Sequence, residues 1–96
     1  MMKLRINPIV AEDLKKMKEY IAEDNEEMAV KTIQEIYARI ENIQQLPYMG
    51  ADLAKRVSFR TDYKYVICGN YVVLYKFGKE YVEIYRVVNQ IGRAHV

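Results

Sequence analysis

Cations and phenols are interleaved through the second half of this chain: Arg56, Arg60, Lys64, Lys76 and Arg86 lie among Tyr63, Tyr65, Tyr71, Tyr75, Tyr81 and Tyr85. Rings beside cations can stack bases and neutralise phosphate, or can receive an apolar peptide from a partner. Tyrosine also has high strand propensity, so filling a small β core is an equally direct use of the same rings. Other chemistries find less support. His95 is the sole histidine and the carboxylates fall mostly on solvent faces of helices, so no metal site is expected. Ser58 has no orienting histidine within the folded part of the chain, which excludes a serine triad. Gly50, Gly69, Gly78 and Gly92 stand singly, so there is no glycine-rich phosphate loop, and no cofactor is expected.

Three short runs must position these groups: Tyr63 to Cys68, Tyr71 to Phe77 and Tyr81 to Val88. They read as an antiparallel meander. Gly69-Asn70 makes a two-residue hairpin connection with glycine free to take positive φ, and Gly78-Lys79-Glu80 makes a slightly longer turn. Alternation puts Tyr63, Tyr65 and Ile67 on one face and Lys64, Val66 and Cys68 on the other, with Arg86 beside Val82 and Ile84 and opposite Tyr81, Glu83 and Tyr85.

Ahead of the meander the pattern is helical. Lys3 to Asn7 is a short strand, with Leu4 and Ile6 facing one way and Lys3 and Arg5 the other. Asn7-Pro8 then opens a helix, and Val10, Leu14, Met17 and Ile21 form its apolar stripe to an end near Glu23. Asp24 and Glu27 resemble a capping box for a second helix, whose stripe of Ala29, Ile33, Ile36, Tyr37, Ile40 and Ile43 runs to Gln45. Leu46-Pro47-Tyr48-Met49-Gly50 breaks the pattern, and residues 46–61 form one long connection carrying Lys55, Arg56 and Arg60. The predicted class is α+β: an N-terminal strand, then an antiparallel helical hairpin packed on a small antiparallel sheet, in the order β-α-α-β-β-β.

At 96 residues the chain is one domain with a modest core. Its net charge of +2 hides an asymmetry. Residues 1–54 carry 7 Lys and Arg against 10 Asp and Glu, whereas residues 55–96 carry 8 against 3, so the sheet half is the basic half. That bias favours nucleic acid or an acidic protein segment as a partner. Cys68 is the only cysteine, which rules out an intramolecular disulfide and reads as a small buried side chain in a reducing cytosol. No apolar run approaches the roughly 18 residues of a membrane span, and no secretion leader opens the chain, so a cytoplasmic protein without membrane contact is expected.

The order of elements, with Asn7-Pro8 opening the first helix, Leu46-Pro47 closing the second, and Asp62-Tyr63-Lys64-Tyr65-Val66-Ile67 leading through Gly69-Asn70-Tyr71-Val72-Val73-Leu74-Tyr75 to Tyr81-Val82-Glu83-Ile84-Tyr85-Arg86-Val87-Val88, resembles the RelE/ParE superfamily of bacterial toxins over residues 3–90. The resemblance implies the toxin half of a type II toxin–antitoxin pair, neutralised by a cognate antitoxin whose disordered or helical tail wraps it. Two activities occur in the superfamily: ribosome-dependent mRNA cleavage, and poisoning of DNA gyrase without a nuclease step.

In the cleaving branch, cations stabilise charge developing at the scissile phosphate and a Tyr, His or Glu assists proton transfer. By position, Lys64 matches a basic residue that is usually Arg, and Arg86 falls in the last strand, which commonly carries an Arg. Tyr85 becomes a proton carrier if those cations lower its phenol from about 10. Lys55, Arg56, Arg60 and Lys64 are the expected phosphate or nucleic-acid ligands. On this reading the resemblance leans to mRNA cleavage, with gyrase binding through the helical hairpin as the alternative and an inactive truncated toxin that only binds antitoxin as a third.

Cleaving relatives place a key Arg and a terminal Tyr or His after the last strand. Here the chain reads Ile91-Gly92-Arg93-Ala94-His95-Val96, which back-translates to a common sequencing-library adapter with an in-frame stop. Residues 1–90 are therefore expected to be the toxin domain and residues 91–96 a foreign tail, so Arg93 and His95 are given no catalytic part.

Overall fold

The computed structural model describes residues 2–90, so the expectations for the tail, Arg93 and His95 included, lie outside the described residues. Strand β1 (Lys3–Ile6) leads into helices α1 (Ile9–Ala22) and α2 (Glu26–Gln45); β2 (Ala51–Asp52) follows, then β3 (Lys64–Cys68), β4 (Tyr71–Phe77) and β5 (Tyr81–Asn89). Both helices lie on one face of a five-stranded sheet ordered β1-β5-β4-β3-β2. The class is α+β and the predicted order of elements holds, with two differences in the sheet.

First, β1 pairs parallel to β5, Leu4 beside Val82 and Ile6 beside Ile84, so the sheet is mixed rather than purely antiparallel. Alternation in a sequence assigns faces but not strand direction, and the helical hairpin returns the chain so that β1 runs alongside the last strand. Second, the 46–61 connection holds more structure than a loop: 3₁₀ turns at Pro47–Met49 and Leu53–Lys55 flank β2, which pairs antiparallel with Lys64 and Tyr65.

The α1 start follows expectation, since the Asn7 side-chain oxygen accepts the Ile9 N–H at 3.0 Å. At α2 the cap is Asn25 rather than Asp24. The Asp24 and Asn25 N–H groups still bond the Ile21 carbonyl and close α1, whereas the extended Asn25 (φ −161°, ψ 105°) frees its side chain to accept from Met28 N–H at 3.0 Å. Asn25→Ala is therefore expected to lower stability by about 1 kcal/mol, and Asp24→Ala by clearly less, in paired thermal melts.

The core joins Val10, Leu14 and Met17 of α1 and Ile36, Ile40 and Ile43 of α2 to Val66, Cys68, Tyr71, Val73, Tyr75, Val82, Ile84 and Val87 of the sheet. Cys68 is buried, as predicted. Tyr37 is not part of this core and is 49% exposed. At 3.6 residues per turn it sits roughly 80° round the helix from Ala29, off the stripe that faces the sheet. The Gly69-Asn70 connection is a II′ turn in character: Gly69 has φ +61° and no non-glycine residue among those described has positive φ.

A bulge breaks the alternation of β5. Tyr75 pairs with Ile84 and Leu74 with Arg86, leaving Tyr85 as an extra residue. Val82, Ile84 and then Val87 therefore face the core, and Arg86 does not share the face of Val82 and Ile84 as simple alternation predicts.

Candidate functional site

The sheet face away from the helices carries an aromatic and cationic surface. Tyr63 and Tyr85 stack with ring centroids 4.9 Å apart, and Lys76 Nζ lies 5.2 Å from the Tyr63 ring. On the neighbouring strands the Arg5 guanidinium lies 4.2 Å over Tyr81, with Lys3 Nζ at 5.8 Å from the same ring. Arg56 reaches over Tyr65 at 5.7 Å, which folds the connecting loop across one side of this face. Register places Arg5, Glu83 and Lys76 in one row across three strands, so a single carboxylate sits between two cations. Such a surface can hold an extended anionic chain, rings against apolar planes and cations against charge.

The sequence pattern alone gives Arg5 and Lys3 no part in this surface. Their alternation against Leu4 and Ile6 was the available signal, and the parallel pairing to β5 is what carries them to the phenols.

Lys64 and Arg86 are placed elsewhere and apart, with β4 between their strands, a separation of roughly 10 Å. Lys64 pairs with the inward-facing Tyr75, and its Nζ donates to Asp52 Oδ1 at 2.7 Å across the β2–β3 pair. The Lys64 hydrogen bond, followed by its charge, holds the Asp52 carboxyl below the usual carboxylate range. Lys55 adds a smaller contribution to the same effect. Lys55 and Arg60 are both exposed on the connecting loop.

Arg86 sits where β5 becomes an edge. Strand β1 ends beside Ile84, so the Val87 N–H beyond it has no strand partner and donates to Asp13 Oδ2 of α1 at 3.0 Å. Arg86 completes the arrangement with a fork onto the same carboxylate, Nε to Oδ2 at 2.9 Å and an η-nitrogen to Oδ1 at 2.8 Å. Burial alone raises the Asp13 carboxyl; the Arg86 and Val87 hydrogen bonds outweigh it and set it below its ordinary value. The same bond, with the opposite sign, raises Arg86.

The two phenols whose acidity shifts, Tyr71 and Tyr75, move upward, chiefly because burial penalises the phenolate. Tyr75 is fully buried and donates to the Pro47 carbonyl at 2.6 Å while accepting the Gly50 N–H at 2.9 Å, so one phenol in the central strand pins the turn that follows α2. Among the described residues no group of three or more His, Cys, Asp or Glu could hold a metal ion, and no helix is long and apolar enough to cross a membrane.

A helical hairpin on one side of a five-stranded mixed sheet, with cations and phenols on the other, defines the toxin-like α+β class that the order of elements resembles. The chain matches the family model of the ParE toxin of the type II toxin–antitoxin system parDE over residues 4–90, and it belongs to that family. Among solved structures it is similar to a chain of the chromosomal ParDE TA system from P. aeruginosa, with 21% identity, a TM-score of 0.75, and 93% of this chain and 96% of that chain covered. A comparison with curated proteins returns no match. As a type II toxin it has an antitoxin as its partner.

Proposed function

We propose that this toxin acts by binding a protein target, DNA gyrase, and not by cutting RNA. The observation that supports this reading is that the two cations aligned with nuclease positions are already bound to carboxylates, Lys64 to Asp52 and Arg86 to Asp13. A scissile phosphate would have to compete with both partners, and Asp13 also holds a backbone N–H that nothing else in the strand pairing satisfies. Of the phenols, Tyr71 and Tyr75 are unsuited to proton transfer, since burial moves both away from neutral pH. A toxin that works through contact needs neither a poised acid nor free phosphate ligands.

The test is a gyrase supercoiling assay with purified toxin. Dose-dependent loss of supercoiling, or trapped cleaved DNA, is the expected result, and undisturbed supercoiling at a large molar excess of toxin rejects the proposal.

A second reading, mRNA cleavage on the ribosome, is favoured by the open face, where Arg5, Lys76 and Arg56 beside Tyr81, Tyr63 and Tyr65 could track a strand together with Lys55 and Arg60. On that reading Lys64 and Arg86 serve only after leaving their carboxylates, with Tyr85 the phenol next to Arg86 on the bulge. Ribosome toeprinting separates the two readings.

A further inference from the structure

Tyr63, Tyr65, Tyr81 and Tyr85 on the open sheet face each carry a cation or another ring. Arg5 and Lys3 lie over Tyr81, Arg56 over the buried Tyr65, and Lys76 over Tyr63, which in turn stacks on Tyr85. A chain of unstacked bases would have to lift these groups away before it could use the rings, the contact by which single-stranded nucleic acid is held. Phosphate asks only for charge. The rings therefore act as seats that fix the cations on the surface.

The layout of the charges narrows the partner further. Arg5 and Lys76 share a hollow with Asp62 and Glu83, two cations against two carboxylates, so it offers no net charge to a single small anion. The surplus lies beyond it, with Lys3 on β1 and Arg56 over Tyr65 of β3. In the order β1-β5-β4-β3 these two sides are three strand spacings apart, roughly 14 Å. Two phosphate rows facing each other across a major groove about 12 Å wide present charge at a similar separation. A single strand presents one row, and an extended peptide is recognised at a sheet edge or in a groove with side-chain pockets, not crosswise over four strands.

We infer that Lys3, Arg5, Lys76 and Arg56 dock this face on the phosphate backbone of duplex DNA, so that the toxin engages gyrase together with the DNA that gyrase holds. The inference rests on the gyrase reading for the source of that duplex. Contact through phosphates is indifferent to base sequence and weakens steeply with salt. Glu83, which register places between Arg5 and Lys76, opposes it.

The test is fluorescence anisotropy of a labelled mixed-sequence duplex, and of one of its strands alone, titrated with the full chain over a range of salt concentrations. The duplex is expected to bind more tightly than the single strand, with a slope of log affinity against log salt of about −3 to −4 for four cations. Arg5→Gln/Lys76→Gln is expected to bind the duplex about tenfold more weakly, with a slope shallower by about 2. Glu83→Gln is expected to bind about threefold more tightly, a gain that misfolding cannot produce. Absence of duplex binding at low salt, tighter binding of the single strand, or an unchanged affinity in either variant overturns the inference. So does a double variant that loses its antitoxin but keeps the duplex, which gives the face to the antitoxin. The supercoiling assay keeps the two readings apart: a wild-type chain that inhibits gyrase without binding the duplex sinks this contact alone, whereas one that binds the duplex and leaves supercoiling undisturbed removes the gyrase reading and, with it, the role assigned to the duplex.

Discussion

Gly50→Ala is expected to lower the unfolding free energy by about 3 kcal/mol, the upper part of the range for forcing atoms into a packed site. A Cβ built at Gly50 falls 2.5 Å from the Tyr75 hydroxyl and 2.9 Å from both Tyr75 Cε1 and the Tyr65 carbonyl oxygen. None of these can yield cheaply. Tyr75 is fully buried with its hydroxyl engaged twice, and the Tyr65 carbonyl belongs to a strand paired on both sides. Tyr75→Phe alone leaves the Pro47 carbonyl and the Gly50 N–H without their partner, at a cost of about 1–3 kcal/mol. Combining the two substitutions relieves the closest contact but not the other two, so the double variant is less destabilised than the sum of the singles. Urea melts of the four proteins measure this coupling. Additive behaviour, or a Gly50→Ala protein as stable as wild type, would show that the turn is not clamped as described.

The second large effect is expected at Asp13. Asp13→Ala removes the acceptor for the Arg86 fork and for the Val87 N–H, and a loss of about 2–3 kcal/mol follows from stranding these donors, discounted because Arg86 keeps access to water. The pH dependence has a definite sign. The folded Asp13 carboxyl lies below the ordinary value of 3.8, so its contribution is fully present above that value and is lost as the pH falls through the lower, folded one. Stability of wild type and of Asp13→Ala measured from pH 7 downward should therefore differ by a constant amount until about pH 4 and then converge. A gap that persists to strong acid would mean that the carboxylate charge plays no part.

Much of the scaffold could be read in advance because its signals are local. The Val10, Leu14, Met17 stripe, the Ile36, Ile40, Ile43 stripe and the Gly69-Asn70 turn each follow from residue spacing or from one glycine's freedom. Two departures are local, the cap at Asn25 and the exposed Tyr37, and the larger ones depend on contacts distant in sequence. Nothing in residues 3–6 says that they run parallel to β5, and nothing in the β5 run marks Tyr85 as the residue a bulge leaves unpaired. Asp13 looked like one more solvated helix carboxylate, yet it lies across the uncovered edge of a strand 74 residues away. Without that partner Arg86 reads as a free phosphate ligand, and without Asp52 so does Lys64. The open-face surface was half legible: the phenols and Lys76 were visible in the meander, whereas Arg5 joined them only through the register of β1.

Growth arrest by this toxin is expected to proceed without RNA cleavage, with Lys64 and Arg86 held by Asp52 and Asp13. Primer-extension mapping of mRNA from arrested cells, with gyrase-linked DNA breaks assayed in the same cultures, tests that point. Full-length transcripts accompanied by gyrase-linked breaks are the predicted result; transcripts cut in a ribosome-dependent manner, with gyrase undisturbed, would contradict it.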